Sequence, residues 1–107
     1  MNEAKLMKYL ECDQLINCVE VYEFDERIML ILDYMEGGSL DEISFSRKGQ
    51  LSENFIKWSL YNVALGIQAM HNKKILHRDI KAENILCRPD GTVKLADLGL
   101  SVFLSEQ

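Results

Sequence analysis

A few polar side chains between positions 77 and 101 have the types and the spacing that phosphate chemistry needs. Asp79, Lys81 and Asn84 lie within six residues, and a further acid, Asp97, follows thirteen positions after the amide (97 − 84). One carboxylate and one amide oxygen suit Mg²⁺, a hard cation that prefers oxygen ligands. A separate carboxylate can accept a proton, and a lysine can face a transferring phosphoryl group. These residue types indicate metal-dependent phosphoryl transfer.

The segment around these residues predicts a β-hairpin. Two short apolar runs, 85–87 and 92–96, flank Arg88-Pro89-Asp90-Gly91. Proline presets φ for the second position of a type I turn, and glycine suits its last position. Because a hairpin brings its two ends together, we expect Asn84 and Asp97 to face the same small volume.

The strings HRDIKAEN and ADLG resemble the catalytic-loop and D-F-G signatures of the eukaryotic protein kinase family, serine/threonine type. The strings LDYMEGGSLDEI and HRDIKAENIL are most similar to the sterile-twenty group, which includes the Rho-GTPase-activated and germinal-centre kinases. The resemblance implies ATP and Mg²⁺ as cofactors and a protein as the substrate. For the full-length protein it also allows an upstream kinase or a small GTPase as a partner.

The resemblance assigns the polar residues to catalytic and metal-binding roles. Asp79 matches the aspartate that orients and deprotonates the substrate hydroxyl. Lys81 matches the lysine that serine/threonine kinases place against the γ-phosphate. Asn84 and Asp97 match the two metal ligands.

Two neighbours of Asp79 have supporting roles in the family. His77 matches the histidine that packs the catalytic loop against the D-F-G residue. Arg78 matches the arginine that contacts a phosphorylated activation loop through charge-assisted hydrogen bonds. Leu98 replaces the usual phenylalanine, and because it is also large and apolar we expect it to fill the same packing slot.

The resemblance also places the nucleotide pocket. Leu32 falls at the gatekeeper position, and Asp33, Tyr34 and Met35 form the hinge. Backbone groups, chiefly those of Asp33 and Met35, would hydrogen-bond adenine, and Leu86 would lie beneath the base. Without the family alignment, buried side chains in such strands are more typical of core packing than of ligand contact.

The first third of the chain predicts a helix and a hairpin. Residues 2–11 carry leucines and a methionine at helical spacing and match the family's αC helix. Glu3 matches the αC glutamate that pairs with a lysine; the alternative is a solvated glutamate that the helix dipole favours. Runs 19–24 and 27–33 read as two strands, the family's fourth and fifth.

Two further helices follow the hinge. Ser39 is a candidate N-cap for the αD helix, residues 46–50 form a loop, and Ser52 caps a long helix over 52–71 that matches αE. The apolar stripe of this helix predicts a face in the core, made of Ile56, Leu60, Val63, Ile67 and Met70.

The elements predict an α+β class, and the resemblance implies a partial protein kinase-like fold. It would contain αC, the hairpin of the family's fourth and fifth strands, the hinge, αD, αE, the catalytic loop and the hairpin of its seventh and eighth strands. Residues 1–107 form one partial kinase domain, in which 1–35 are the N-lobe remainder and hinge and 36–107 the first part of the C-lobe.

Composition excludes several other classes. Of the 107 residues 48% are hydrophobic and 27% charged, as in globular proteins, and a net charge of −5 argues against nucleic acid or a membrane as partner. No run is long enough to span a bilayer and no signal peptide is present, so we expect a cytoplasmic location. Cys12, Cys18 and Cys87 lack a C-x-x-C spacing and predict free thiols.

The family comparison leaves two functions open. A Gly-rich loop, the αC-pairing lysine, an A-P-E segment and the following helix are absent from these 107 residues. We therefore expect a fragment that is inactive alone, explained by a truncated gene model, an exon fragment or an excised piece. The alternative is a truncated, inactive pseudokinase that acts as a protein-interaction module.

Overall fold

The computed structural model describes residues 3–104. Its helices are α1 (Glu3–Leu10), α2 (Leu40–Ser46) and α3 (Glu53–Asn72), with a 3₁₀ turn at Ala82–Asn84. Its strands are β1 (Cys18–Phe24), β2 (Arg27–Leu32), β3 (Gly38–Ser39), β4 (Ile75–Leu76), β5 (Ile85–Cys87), β6 (Val93–Leu95) and β7 (Val102–Phe103). None of the helices within this range is long and apolar enough to cross a membrane.

The strands form three small antiparallel sheets. Strands β1 and β2 make the predicted first hairpin, in which Tyr22 pairs with Met29. Strands β3, β5 and β6 form the second sheet in that order, and β4 pairs with β7 in the third. Helices with antiparallel sheets confirm the predicted α+β class.

Helices α2 and α3 begin at the predicted serines. The Ser39 hydroxyl accepts the backbone N–H of Glu42, and the Glu42 side chain accepts the N–H of Ser39, which makes a capping box. The Ser52 hydroxyl accepts the N–H of Phe55. Each cap pairs a backbone donor that a helix start would otherwise leave without a partner.

The β5–β6 turn also forms as predicted. The N–H of Gly91 donates to the carbonyl of Arg88 at 3.1 Å, and the N–H of Arg88 donates to the carbonyl of Thr92 at 2.9 Å. Gly91 has φ of +95°, a conformation that glycine adopts without strain. The turn therefore connects β5, which Asn84 directly precedes, to β6, which ends two residues before Asp97.

One apolar core joins α1, α3 and the β5–β6 hairpin. Leu15 lies in the loop between α1 and β1 and is 1% exposed, and it bridges to Leu95 of β6. The other buried members of the core are Leu6, Met7, Leu10, Val63, Met70, Ile75, Ile85, Cys87, Val93 and Leu98. All three cysteines are free, as predicted.

The predicted core stripe of α3 is only partly correct. Val63 and Met70 are buried and Ile67 packs against the core. Ile56 and Leu60, however, are 40% and 58% exposed. The prediction that all five side chains are core is therefore wrong for the N-terminal half of the helix.

Close approach between α3 and the loop that joins α1 to β1 explains the difference. Ser59 is fully buried, and a Cβ added at Gly66 would lie 3.1 Å from Leu15 Cδ2 and 3.2 Å from the Gln14 carbonyl oxygen. The absence of a side chain at Gly66 therefore lets the helix pack tightly against this loop. This orientation turns Ile56 outward, where larger side chains have room.

Candidate active site

His77 joins the loop after β4 to the end of β6. Its ring is buried, and its Nδ1 accepts the backbone N–H of Asp79 at 3.0 Å. Its Nε2 lies 2.8 Å from the carbonyl oxygen of Ala96. Because one partner is a donor and the other an acceptor, the proton must be on Nε2. The histidine therefore fixes Asp79 relative to the strand that precedes Asp97.

Ala96 links the two halves of the site through its backbone. Its N–H donates to the carbonyl of Asn84 at 2.7 Å, while its carbonyl accepts from His77. Asp97 is the next residue in the chain. The structure thus brings the ends of the β5–β6 hairpin together beside the loop that carries Asp79. This is the closure that we expected from the predicted hairpin.

Asp79 is held by hydrogen bonds on one side and faces a cation on the other. The side-chain nitrogen of Asn84 donates to the Asp79 carbonyl at 2.8 Å and to its Oδ2 at 3.2 Å. Lys81 Nζ lies 3.5 Å from Asp79 Oδ1 and 3.9 Å from Glu83 Oε2. The Asp79 side chain is 21% exposed, so its carboxylate is oriented and still accessible.

The proposed metal ligands supply chemically suitable oxygens. Asn84 is 8% exposed, and because its side-chain nitrogen binds Asp79, its side-chain oxygen is the atom that can bind a cation. Asp97 is exposed and its Oδ1 accepts the N–H of Gly99 at 3.3 Å. Among residues 3–104 no group of three or more His, Cys, Asp or Glu could hold a metal. One carboxylate with one amide fits Mg²⁺, which keeps several positions for phosphate and water.

The segment after Asp97 is hydrogen-bonded to the loop that carries Asp79. Leu98 is 3% exposed and belongs to the core, which confirms that leucine fills this apolar position. The Nε–H of Arg78 donates to the Leu100 carbonyl at 2.9 Å, and the Ser101 hydroxyl donates to the His77 carbonyl at 3.3 Å. Arg78 has φ of +69°, a conformation that is costly for a residue with a Cβ. The backbone strain is thus stored next to Asp79.

A partly buried ion pair that the sequence analysis missed holds the predicted hinge. Lys94 Nζ lies 3.1 Å from Asp33 Oδ2, and the N–H of Asn17 donates to the same oxygen at 2.9 Å. Burial raises the pKa of Asp33, but hydrogen bonds from Asn17 and Lys94 and the charges of Lys94 and Arg88 together hold it below its ordinary value. The three residues lie far apart in the chain, so no local motif predicts them.

Hydrogen bonds inside the protein already use some backbone groups of the predicted hinge. The N–H of Asp33 donates to the Asn17 carbonyl at 3.1 Å, and the Met35 carbonyl accepts from Gly38 at 3.1 Å. The carbonyl of Asp33 and the N–H of Met35 are therefore the groups that these two residues can offer. Leu32 is 40% exposed.

The remaining predicted residues lie apart from the catalytic loop. Leu86 is half-buried in β5, where it pairs with Lys94 across the sheet. Glu3 is half-buried in the first turn of α1 and lines a cavity of about 330 Å³ with apolar side chains that include Ile28 and Leu30. Within residues 3–104, Glu3 has no hydrogen bond or ion pair to the other candidate residues.

Comparison with known proteins shows which family the chain resembles. The protein kinase domain family matches residues 1–107. The chain is 38% identical to the serine/threonine-protein kinase SKM1 of Saccharomyces cerevisiae, covering 100% of this chain and 18% of that protein. It is 35% identical to the serine/threonine-protein kinase CLA4 of Candida albicans, covering 100% and 11%. It is 33% identical to serine/threonine-protein kinase 33 of Bos taurus, covering 94% and 22%.

The chain spans less than a quarter of the length of these three relatives. The match nevertheless extends over all 107 residues, well beyond the short strings of the catalytic loop. It confirms the predicted serine/threonine type, most like the sterile-twenty group. The chain belongs to the protein kinase domain family.

Proposed function

We propose that the protein transfers the γ-phosphoryl group of ATP to serine and threonine hydroxyls of protein substrates. The observation that carries this proposal is the position of Asp79, which His77 and Asn84 hold beside the Ala96–Asp97 end of the hairpin. A proton acceptor, a lysine and an amide oxygen then lie close together, and Asp97 follows the residue that joins the hairpin end to His77. In-line phosphoryl transfer needs these groups in one place.

Asp79 would act as the proton acceptor. Its Oδ2 is occupied by Asn84, while its Oδ1 faces Lys81 at 3.5 Å. As the substrate oxygen forms its bond to phosphorus and the bond to ADP breaks, the hydroxyl proton passes to this carboxylate. The Lys81 ammonium is half-exposed and would leave Asp79 to neutralise charge on the transferring phosphoryl group.

Asn84 and Asp97 would hold Mg²⁺ through their side-chain oxygens. When bound, Mg²⁺ would supply positive charge that stabilises the transferring phosphoryl group. The hydrogen bond from Asn84 to Asp79 couples the two functions, because the same amide offers its nitrogen to the base and its oxygen to the metal. Asn84 would thereby orient the proton acceptor and hold the metal through one side chain.

The hinge would bind the adenine. The carbonyl of Asp33 and the N–H of Met35 are an acceptor and a donor in one short segment, with Leu32 and Leu86 as apolar neighbours. Glu3 would pair with a lysine that contacts the phosphates, as the family resemblance implies. An upstream kinase or a small GTPase remains a proposed partner of the full-length protein.

The proposal is tested by expressing the protein from the full reading frame and measuring phosphate transfer to a generic basic protein. Asp79→Asn should lower kcat by roughly 10²-fold or more, because the proton acceptor is lost. Asp13→Asn makes the same change at an exposed position outside the site and should leave activity unchanged.

Two outcomes would contradict the proposal. If neither the wild type nor Asp13→Asn transfers phosphate while Mg²⁺-ATP still raises Tm, the chain belongs to a nucleotide-binding pseudokinase. If Tm does not change either, a protein-interaction module explains the chain better.

A further inference from the structure

A cavity of about 420 Å³ lies away from the candidate active site. Its walls come from the C-terminal end of α2, the start of α3 and the β5–β6 turn. Neither residues 77–84 nor Asp97 line this cavity. Its volume is within the range of small-ligand and side-chain binding pockets, and no proposed catalytic step uses it.

The walls of this cavity are fixed by the fold. The N–H of Gly37 donates to the Cys87 carbonyl at 2.9 Å, and a Cβ at Gly37 would lie 2.8 Å from that oxygen. The indole N–H of Trp58 donates to the carbonyl of Gly91 at 2.6 Å. Because the turn is anchored to α3 and β5 is packed against the hinge, the cavity is preformed and binding would cost little ordering.

The lining combines apolar side chains with positive charge. Within the described part of the chain no aspartate or glutamate lines the cavity, although the protein has 17 acidic and 12 basic residues. The side chains that decide its chemistry are Ile43, Arg47, Leu51, Phe55, Arg88 and Pro89. An apolar wall with guanidinium groups is complementary to an acidic, apolar ligand.

The two arginines differ in how much of their charge is already paired. Arg88 Nε donates to the Tyr34 carbonyl at 3.0 Å and lies 3.6 Å from Glu36 Oε1. The nearby Asp90 carboxylate accepts the N–H of Thr92. For the Arg47 guanidinium, residues 3–104 provide neither an ion pair nor a hydrogen bond. Arg47 is therefore the cation that a ligand carboxylate can engage without displacing a partner.

We propose that this cavity binds a peptide segment of a partner protein in which an apolar side chain is flanked by carboxylates. The apolar side chain would pack against Ile43, Leu51 and Phe55, and a carboxylate would pair with Arg47. A guanidinium binds a carboxylate through two parallel hydrogen bonds, which adds orientation to affinity. The site is distinct from the proposed phosphoryl-transfer site and does not depend on it.

Fluorescence anisotropy with the full-reading-frame protein tests this proposal. The probe is a short fluorescein-labelled peptide in which leucine alternates with glutamate, and its counterpart carries lysine in place of glutamate. We expect saturable binding of the acidic peptide alone. Arg47→Glu should weaken it roughly tenfold or more, since a charge-assisted contact becomes repulsive. Arg47→Lys should retain most of the affinity.

Matched variants separate this site from general charge and from catalysis. Arg27→Glu makes the same charge change at an exposed position of β2 and should leave the affinity unchanged. Asp79→Asn should also bind the acidic peptide normally, so a failure of the kinase proposal would not affect this result. No saturable binding, equal binding of the lysine peptide, or an unchanged affinity in Arg47→Glu would each overturn the proposal.

Discussion

Lys94 Nζ lies 3.1 Å from Asp33 Oδ2 and connects the middle of β6 to the residue that follows β2. The Lys94 and Asp33 side chains are only 9% and 18% exposed, and the Asn17 N–H shares the same carboxylate oxygen. The pair connects the proposed adenine-binding segment to β6, which ends two residues before Asp97. An uncompensated charge at either position would be costly.

Removal of the lysine should therefore destabilise the protein strongly. Lys94→Met leaves the partly buried Asp33 carboxylate without its cation, which should cost about 1–3 kcal/mol of the free energy of unfolding. Lys57→Met is the matched control, because Lys57 Nζ also lies 3.1 Å from a carboxylate, that of Glu53, but both side chains are more than 70% exposed.

The control variant should lose less than about 1 kcal/mol, because solvent screens an exposed pair. Urea denaturation of the three proteins measures both differences. Equal losses in Lys94→Met and Lys57→Met would show that burial of the Asp33 pair has no energetic effect.

The same pair predicts an acid-dependent loss of stability. The pKa of Asp33 is lower in the folded protein than its ordinary value of 3.8, despite the burial that opposes this. The unfolded chain therefore binds the proton first, so the contribution of Asp33 is complete above its ordinary pKa and is lost as the pH falls through the folded value. Asp33→Asn should remove this part of the pH dependence.

Thermal melting between about pH 2.5 and 7 compares the two proteins. The Tm of the wild type should fall more steeply than that of Asp33→Asn below about pH 4. Parallel curves would contradict an ionised, stabilising Asp33.

Two substitutions of Asn84 should separate its proposed roles. Asn84→Asp keeps an oxygen ligand for Mg²⁺ but removes the N–H groups that hold Asp79 and places a second negative charge beside it. Asn84→Ala removes both functions. We expect kcat to fall roughly 10²-fold or more in both variants, because a positioned donor is lost in each.

The Mg²⁺ concentration for half-maximal activity distinguishes the variants. It should rise in Asn84→Ala and change little in Asn84→Asp. An equal rise in both would place the metal ligands elsewhere.

Local signals predicted the parts of the fold that depend on neighbouring residues. Ser39 and Ser52 begin helices because a hydroxyl caps the first turn, and Arg88 to Gly91 form the turn that brings Asn84 towards Asp97. These features depend on interactions within a few residues. Their physical chemistry is present in the sequence itself.

Contacts between distant elements could not be predicted in the same way. The apolar stripe of α3 indicated Leu60 as a core residue, whereas close packing at Gly66 turned the helix away. The Asn17–Asp33–Lys94 cluster joins positions separated by up to 77 residues (94 − 17). Only the assembled sheets and loops bring such groups together, so a single sequence carries no local sign of them.

Trp58 gives the protein an internal optical probe. It is the one tryptophan among the 107 residues, it is 48% exposed, and its indole N–H is bound to the carbonyl of Gly91. Its emission therefore depends on contact between α3 and the β5–β6 turn, and detachment of the turn should shift the emission towards that of a solvated indole. Separation of the hairpin from the helix can thus be followed without an added label.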